Sequence, residues 1–255
     1  MTIELVSFRY NLAAKKRIEL TAQLTNQSNA DLVVFCGHTL IKQDDLYDLE
    51  GLIENKSPFV LLEVKHISEN RFLNMKHCLF TIENGSIRDL FTHQHFAEKK
   101  EIENNESLCE RFINEIESKR CFNVKGKKCL VLQCGEINII KNLQKEENRP
   151  IFRLQQRKDL EERFYKIINN TDIILNPIHT PMGNQGKMKK RREFFSDNNR
   201  YYFSVSQNGT RKRGNLEYDI PIESNSLQYS YFNGREIIES SRDFTRDYQR
   251  RTFKI

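Results

Sequence analysis

No run in the 255 residues approaches the roughly 18 consecutive apolar positions of a membrane span. An export signal, with its basic start and apolar middle, is also missing, because Met1 leads straight into Thr2–Phe8, which reads as a strand. The expected location is the cytoplasm, with no membrane partner. The chain has no GxGxxG and no GxxxxGK followed by Ser or Thr, so glycine-rich phosphate cradles find no support. It also lacks a His/Cys set at zinc-ligand spacing, and neither metal nor cofactor is expected. The single His-x-His, His93 and His95 around Gln94, reads as a structural pair on one side of an extended segment. The six cysteines, at 36, 78, 109, 121, 129 and 134, contain no CxxC and no regular framework, which points to reduced thiols. Internal repeats, Gly/Ser linkers and breaks in composition are absent as well. One domain spanning residues 1–255 is the economical organisation.

What is present argues for a folded chain of ample core. Hydrophobic residues make up 38% and charged ones 30%, a polar balance, but 17 Phe and 9 Tyr oppose disorder. The net charge of +6 is unevenly placed. Lys187, Lys189, Lys190, Arg191 and Arg192 form one cluster, and Arg211, Lys212 and Arg213 another. Such clusters suit an anionic partner, nucleic acid among them, or are simply a solvated helix face and loop.

Strand-like runs alternate with helical stripes, the pattern of an α/β layered domain. Strands are expected at Ile3–Phe8, Asp31–Cys36, Phe59–Glu63, Cys78–Glu83, Lys128–Cys134, Asp172–Asn176 and Arg200–Ser206. Helical stripes run through Ala14, Ile18 and Ala22, through Leu108, Phe112 and Ile116, and through Leu160, Phe164 and Ile168. Asn84-Gly85 and Asn233-Gly234 mark hairpins, since both residue types accept the positive φ of tight turns. Lys42–Ile53, Glu98–Ser107 and Gln207–Asn215 read as polar loops.

Cys134 closes the apolar run Leu130-Val131-Leu132-Gln133 and is followed by Gly135 and Glu136. A thiol at a strand's carboxyl end, with a small neighbour and a carboxylate two positions on, is placed as a nucleophile would be. Cys36, Cys78 and Cys129, by contrast, sit in or beside apolar runs and read as small buried hydrophobes.

Several segments, in order, resemble the carbon–nitrogen hydrolase (nitrilase) superfamily: Ala30–Phe35 after the first helix, Leu132–Glu136 around the thiol, Ile173–Pro177, and Arg192–Asn208 with its aromatic strand. The resemblance covers roughly residues 1–240. It implies a four-layer α-β-β-α sandwich, a covalent intermediate on Cys134, a small-molecule amide or nitrile substrate and a homodimer. The family's Glu base, Lys stabiliser and Cys nucleophile divide the chemistry between proton transfer, charge stabilisation and attack. Here Gly37 occupies the expected Glu position and His93 the expected Lys position.

Other side chains must then fill both roles if the chain is an enzyme. Glu63, at the end of its apolar run, and Glu136 are the candidate proton acceptors. His93 is the candidate stabiliser, since an imidazole can act either way near neutral pH. His38, and His179 just after Asn176-Pro177, are candidate substrate-binding residues. The alternative is an inactive binding or assembly module that kept the fold and gave up the reaction.

Overall fold

The computed structural model describes residues 1–70, 73–181, 185–213 and 216–255. The chain opens with β1 (Thr2–Phe8), α1 (Ala14–Gln27), β2 (Leu32–Phe35), β3 (Leu40–Lys42) and α2 (Asp44–Glu50). A long meander follows, β4 (Phe59–Asn70), β5 (Leu73–Glu83) and β6 (Ser86–His93), then α3 (Lys99–Glu103) and α4 (Glu106–Ser118). Next come β7 (Cys121–Val124), β8 (Lys127–Val131), β9 (Ile140–Leu143), β10 (Arg149–Phe152), α5 (Lys158–Asn169), β11 (Ile173–Ile178) and α6 (Gln185–Phe195). The remainder adds β12 (Tyr201–Ser206), β13 (Thr210–Arg213), β14 (Leu216–Asp219), a 3-10 turn at Asn225–Leu227, β15 (Gln228–Phe232), β16 (Arg235–Glu236), β17 (Ser241–Phe244) and β18 (Tyr248–Lys254).

Two large sheets carry the architecture. One runs β17-β18-β1-β2-β4-β5-β6, with β3 added along β4, and the other runs β16-β15-β12-β11-β8-β7. Side chains that alternate along a strand point to opposite faces, and the second sheet uses both. Cys129, Val131, Ile173, Leu175, Phe203 and Val205 join the buried cluster built on the first sheet. Their neighbours Leu130, Leu132, Ile174 and Tyr202 join a second cluster with Phe112 of α4, Phe164 of α5 and Met188 of α6. Ile18 and Leu24 of α1 and Leu46 and Leu49 of α2 complete the first cluster. Helix, sheet, sheet and helix thus form the four-layer α-β-β-α sandwich.

The helical stripes locate α1, α4 and α5, and Asn105 caps α4 by accepting from the Leu108 amide at 3.1 Å. Both Asn-Gly pairs form their hairpins, with φ of 50° and 79° at Asn84-Gly85 and 49° and 76° at Asn233-Gly234. Elsewhere the boundaries differ from those expected. The strand expected to stop at Glu63 continues to Asn70, because Val64 and Ile67 keep supplying buried apolar faces to a long hairpin with β5. The two segments expected as pocket loops are helical, α2 within Lys42–Ile53, and α3 with the start of α4 within Glu98–Ser107. The Gln207–Asn215 loop contains β13, which pairs with β14, and Asn215 lies outside the described residues. Arg192 lies near the end of its helix rather than at its start.

Candidate active site

The Leu130–Gln133 run does not carry a strand as far as the thiol. β8 ends at Val131, and Cys134 opens a 3-10 helix, Cys134–Ile139. Gly135 is required there, since a Cβ on it would lie 2.1 Å from the Ala97 carbonyl oxygen. Glu136, fully buried, fastens the turn. Its carboxylate accepts from the Gln133 amide at 2.8 Å and the His95 amide at 2.8 Å, and pairs with the buried Arg120 guanidinium at 2.5 Å. Arg120 in turn donates to Thr92 Oγ1 at 2.7 Å and to the His93 carbonyl at 2.5 Å. Two of the bonds Glu136 makes hold backbone amides in place, and the third neutralises it against Arg120. His93 belongs to the same network: its ring stacks on His95, whose Nε2 faces the Glu115 carboxylate at 3.1 Å.

A second polar centre forms at the other side of Gln133. Glu63 projects from β4 into it with no exposed surface. β2 pairs with β4 only as far as Val34↔Leu61, and β3 resumes the pairing at Leu40↔Val64. The intervening loop turns its His38 amide onto Glu63 Oε1 at 2.9 Å. Gln133 Nε2 donates to Glu63 Oε2 at 2.7 Å and to the His77 carbonyl at 2.6 Å. His179, one residue beyond β11, places its Nε2 at 2.7 Å from Glu63 Oε1 and interacts with the Cys134 thiol as well.

Gly37 makes this arrangement possible. A Cβ on it would sit 2.4 Å from His179 Cδ2 and 2.9 Å from the Ile178 carbonyl carbon. The His179 ring therefore fills the space that a side chain at 37 would take. The loop is held from behind by buried Arg17, which donates to the His38 carbonyl at 2.8 Å, and by Gln207, whose Nε2 donates to the Gly37 carbonyl at 2.7 Å. On the other flank Asn176 donates to the Leu132 carbonyl and accepts from Tyr202 at 2.8 Å, which ties β11 to the thiol's strand.

The electrostatics follow from the contacts. Burial disfavours charge on Glu63, but His179 and then His38 and His77 outweigh it, and the carboxyl is held well below its ordinary range. Burial likewise works against a charged His179, yet the Glu63 carboxylate and the bonds to Cys134 and Glu63 push it well above an ordinary imidazole. His38 and His77 go the other way. Burial, then the charge of His179, lowers His38 to about 3, and burial lowers His77 to about 4. One charged and two neutral imidazoles surround one carboxylate.

Of the residues singled out in the sequence, Cys134, Glu63, His179 and His38 come together, while Glu136 and His93 stand in the Arg120 network. His77, which no sequence pattern marked, joins the first group: its Nδ1 lies 2.9 Å from His38 Nε2. The basic cluster on α6 is partly internal. Arg191 donates to Asn142 at 2.9 Å and to Asn138 at 2.9 Å, and the Arg192 guanidinium lies over the Tyr229 ring at 3.4 Å. The side chains of Arg211, Lys212 and Arg213 lie outside what the structure describes.

No protein-family model and no curated protein matches the chain. Solved structures do. A carbon–nitrogen hydrolase superfamily protein from Xanthomonas campestris, with an arsenic adduct in its active site, is 12% identical, covers 100% of this chain and 90% of its own, and superposes with a TM-score of 0.55. An amidase from Nesterenkonia sp. AN1, with acrylamide added at its active site cysteine, is 9% identical over 100% of this chain and 93% of its own, at a TM-score of 0.57. A glutamine-dependent NAD(+) synthetase from Cytophaga hutchinsonii, 9% identical, matches 93% of this chain with 40% of its own at 0.53. Identities this low establish the architecture, and the protein has the carbon–nitrogen hydrolase (nitrilase) fold in a divergent form.

Proposed function

We propose that this protein is a cysteine-dependent hydrolase of small-molecule carbon–nitrogen bonds, with Cys134 as nucleophile, His179 as its proton partner and Glu63 as the carboxylate that orients and charges His179. The observation that carries this reading is the line from Glu63 to His179, joined at 2.7 Å, and on to the Cys134 thiol that the same ring interacts with. Thiol, base and orienting carboxylate in that order form the recurring arrangement for an activated nucleophile. Supporting it, a solved neighbour from Nesterenkonia sp. AN1 is an amidase seen in complex with butyramide, which favours a short amide as substrate.

In the first half-reaction Cys134 reacts as the thiolate partner of the charged His179, whose imidazolium holds the proton while Sγ forms a bond to the amide carbon. As the carbon–nitrogen bond breaks, the proton is delivered to the departing amine, and the acyl group remains as a thioester on Cys134. Water then attacks the thioester carbon and gives its proton to His179. The carbon–sulfur bond breaks, the acid leaves, and the proton stays on His179, which restores the resting pair. Glu63 stays ionised throughout and stabilises the imidazolium that each half-reaction needs.

Two measurements test this. Ammonia release from a panel of short aliphatic amides should vanish in Cys134→Ala and fall by about 100-fold or more in His179→Gln. Cys134→Ala retaining full activity would refute the assignment. Iodoacetamide labelling at neutral pH, read by mass spectrometry, should mark Cys134 well ahead of the other thiols and slow sharply in His179→Gln. Burial pushes Cys36 up to about 11 and Cys109 and Cys129 up to about 12, so those three are poor competitors.

A further inference from the structure

The cluster contains more ligating groups than a cysteine hydrolase needs. His38 Nε2, His77 Nδ1, Glu63 Oε1 and His179 Nε2 converge, and the four ligand atoms all lie within 4.8 Å of one another. The separations are 2.9 Å for His38 to His77, 2.7 Å for His179 to Glu63, 3.8 Å for His38 to Glu63 and 3.9 Å for His77 to Glu63. A tetrahedral ion with metal–nitrogen and metal–oxygen distances of about 2.0–2.2 Å sets its ligands about 3.3–3.5 Å apart. The observed edges straddle that value, so small ring movements would close the shell.

Two independent features mark the cluster as built. His38 and His77 both hold left-handed backbone, with φ of 57° and 59°. That conformation is uncommon for a residue with a side chain and persists where the surroundings enforce it. Neither position is a tight Asn-Gly turn, where a positive φ serves chain reversal. The buried Glu63 carboxylate, moreover, accepts from a backbone amide, a glutamine and a histidine, with no lysine or arginine among these partners. The three imidazole rings gather beside it with centroids 3.8, 4.4 and 4.9 Å apart, His38 stacked on both of the others.

We infer that His38, Glu63, His77 and His179 bind one divalent late first-row transition ion, zinc being the type, and that the bound ion withdraws His179 from Cys134. Three imidazoles and a carboxylate favour such an ion over calcium or magnesium, which take oxygen shells. A neutral imidazole bound to metal through one nitrogen carries its proton on the other, so it has no lone pair left to accept the thiol proton. The ion is therefore a reversible off-switch. That second half rests on the proposed role of Cys134 and His179, whereas the binding itself does not.

The test uses the full chain stripped of metal and titrated with Zn²⁺ and Co²⁺. One equivalent should bind in the native protein and in Cys134→Ala alike, and the Co²⁺ adduct should show a tetrahedral visible spectrum without a thiolate charge-transfer band. His77→Ala should weaken binding by at least tenfold, as should the milder His77→Gln. Zn²⁺ should slow Cys134 alkylation in the native protein, with recovery on adding a chelator, and leave it unaltered in His77→Ala. Absence of binding, binding undiminished by both His77 substitutions, or a thiolate band would overturn the site. Binding that leaves a fast alkylation untouched would overturn the switch alone. A thiol that is slow with and without Zn²⁺ would remove the hydrolase reading, and the switch with it, while the site stands.

Discussion

Under the proposed assignment, the side chain missing at Gly37 redistributes the catalytic set. Where the fold's carboxylate base is expected, the backbone is bare, and His179 lies against it with Cδ2 only 2.4 Å from where a Cβ would stand. Gly37→Ala therefore forces the ring away from Glu63 and Cys134, since the Ile178 and His179 backbone behind it is fixed by the Gly37 amide bond to the Ile178 carbonyl at 3.0 Å. The expected outcome is a loss of about 1–3 kcal/mol in stability by urea denaturation, together with slow, unselective labelling of Cys134. Unchanged labelling would show that the ring has another place to go. Cys134, Glu63 and His179 were legible in the sequence because each closes an apolar run, where strand ends converge. The pairing of Glu63 with His179 was not, because which histidine reaches which carboxylate depends on how distant segments meet. His77 carried no signal at all: it lies in a polar hairpin extension, beside an apolar run rather than at its end.

At the scale of elements, the turn that presents the thiol depends on a buried ion pair. Arg120 and Glu136 meet at 2.5 Å with both side chains fully buried, and each also organises backbone around the turn. Removing one charge leaves the other uncompensated, so Glu136→Gln should cost about 3–5 kcal/mol, read as a lowered urea midpoint. A loss under about 1 kcal/mol would mean that water or a neighbour replaces the carboxylate. The sequence placed Glu136 two residues from the nucleophile and made it a candidate base, because proximity along the chain says nothing of which way a side chain turns. Strand boundaries failed for a related reason. A charged Glu63 reads as an exit into solvent, yet hydrogen bonds satisfy it inside and β4 runs on to Asn70. The α1, α4 and α5 stripes were legible because their periodicity is set by one buried face each.

Across the whole molecule, Glu115 and Glu239 add to acid tolerance alongside Glu63. Burial opposes charge on Glu115, but hydrogen bonds from His95 and Thr92 prevail and hold it at about 2. Glu239 is likewise brought to about 2, against burial, by Arg251. Both lie below the ordinary value of 4.5, so the unfolded chain binds protons first as the pH falls. Their contribution is complete above about pH 4.5 and fades toward pH 2. The urea midpoint should decline below about pH 6.5, where His38 and His77 stay neutral only in the folded chain, and fall further below about pH 4.5, where the decline should be shallower in Glu115→Gln. A midpoint that falls equally in the variant would assign the acid loss to other carboxylates. The four-layer plan itself was legible in outline, through the alternation of strands and stripes. The sheet order, with β17 and β18 returning to pair beside β1, was not, because pairing between chain ends leaves no local mark.

The Glu63–His179–Cys134 line crosses from one sheet to the other: Glu63 rides on β4, while His179 and Cys134 sit at the ends of β11 and β8. Such a centre is a gauge of alignment between two plates. A displacement of about 1 Å between them would break the line without touching any of its members, and misplacement on that scale can cost about 100-fold in rate. Anything that grips the outer helices and shears the layers then has authority over the thiol, without needing a path into the pocket.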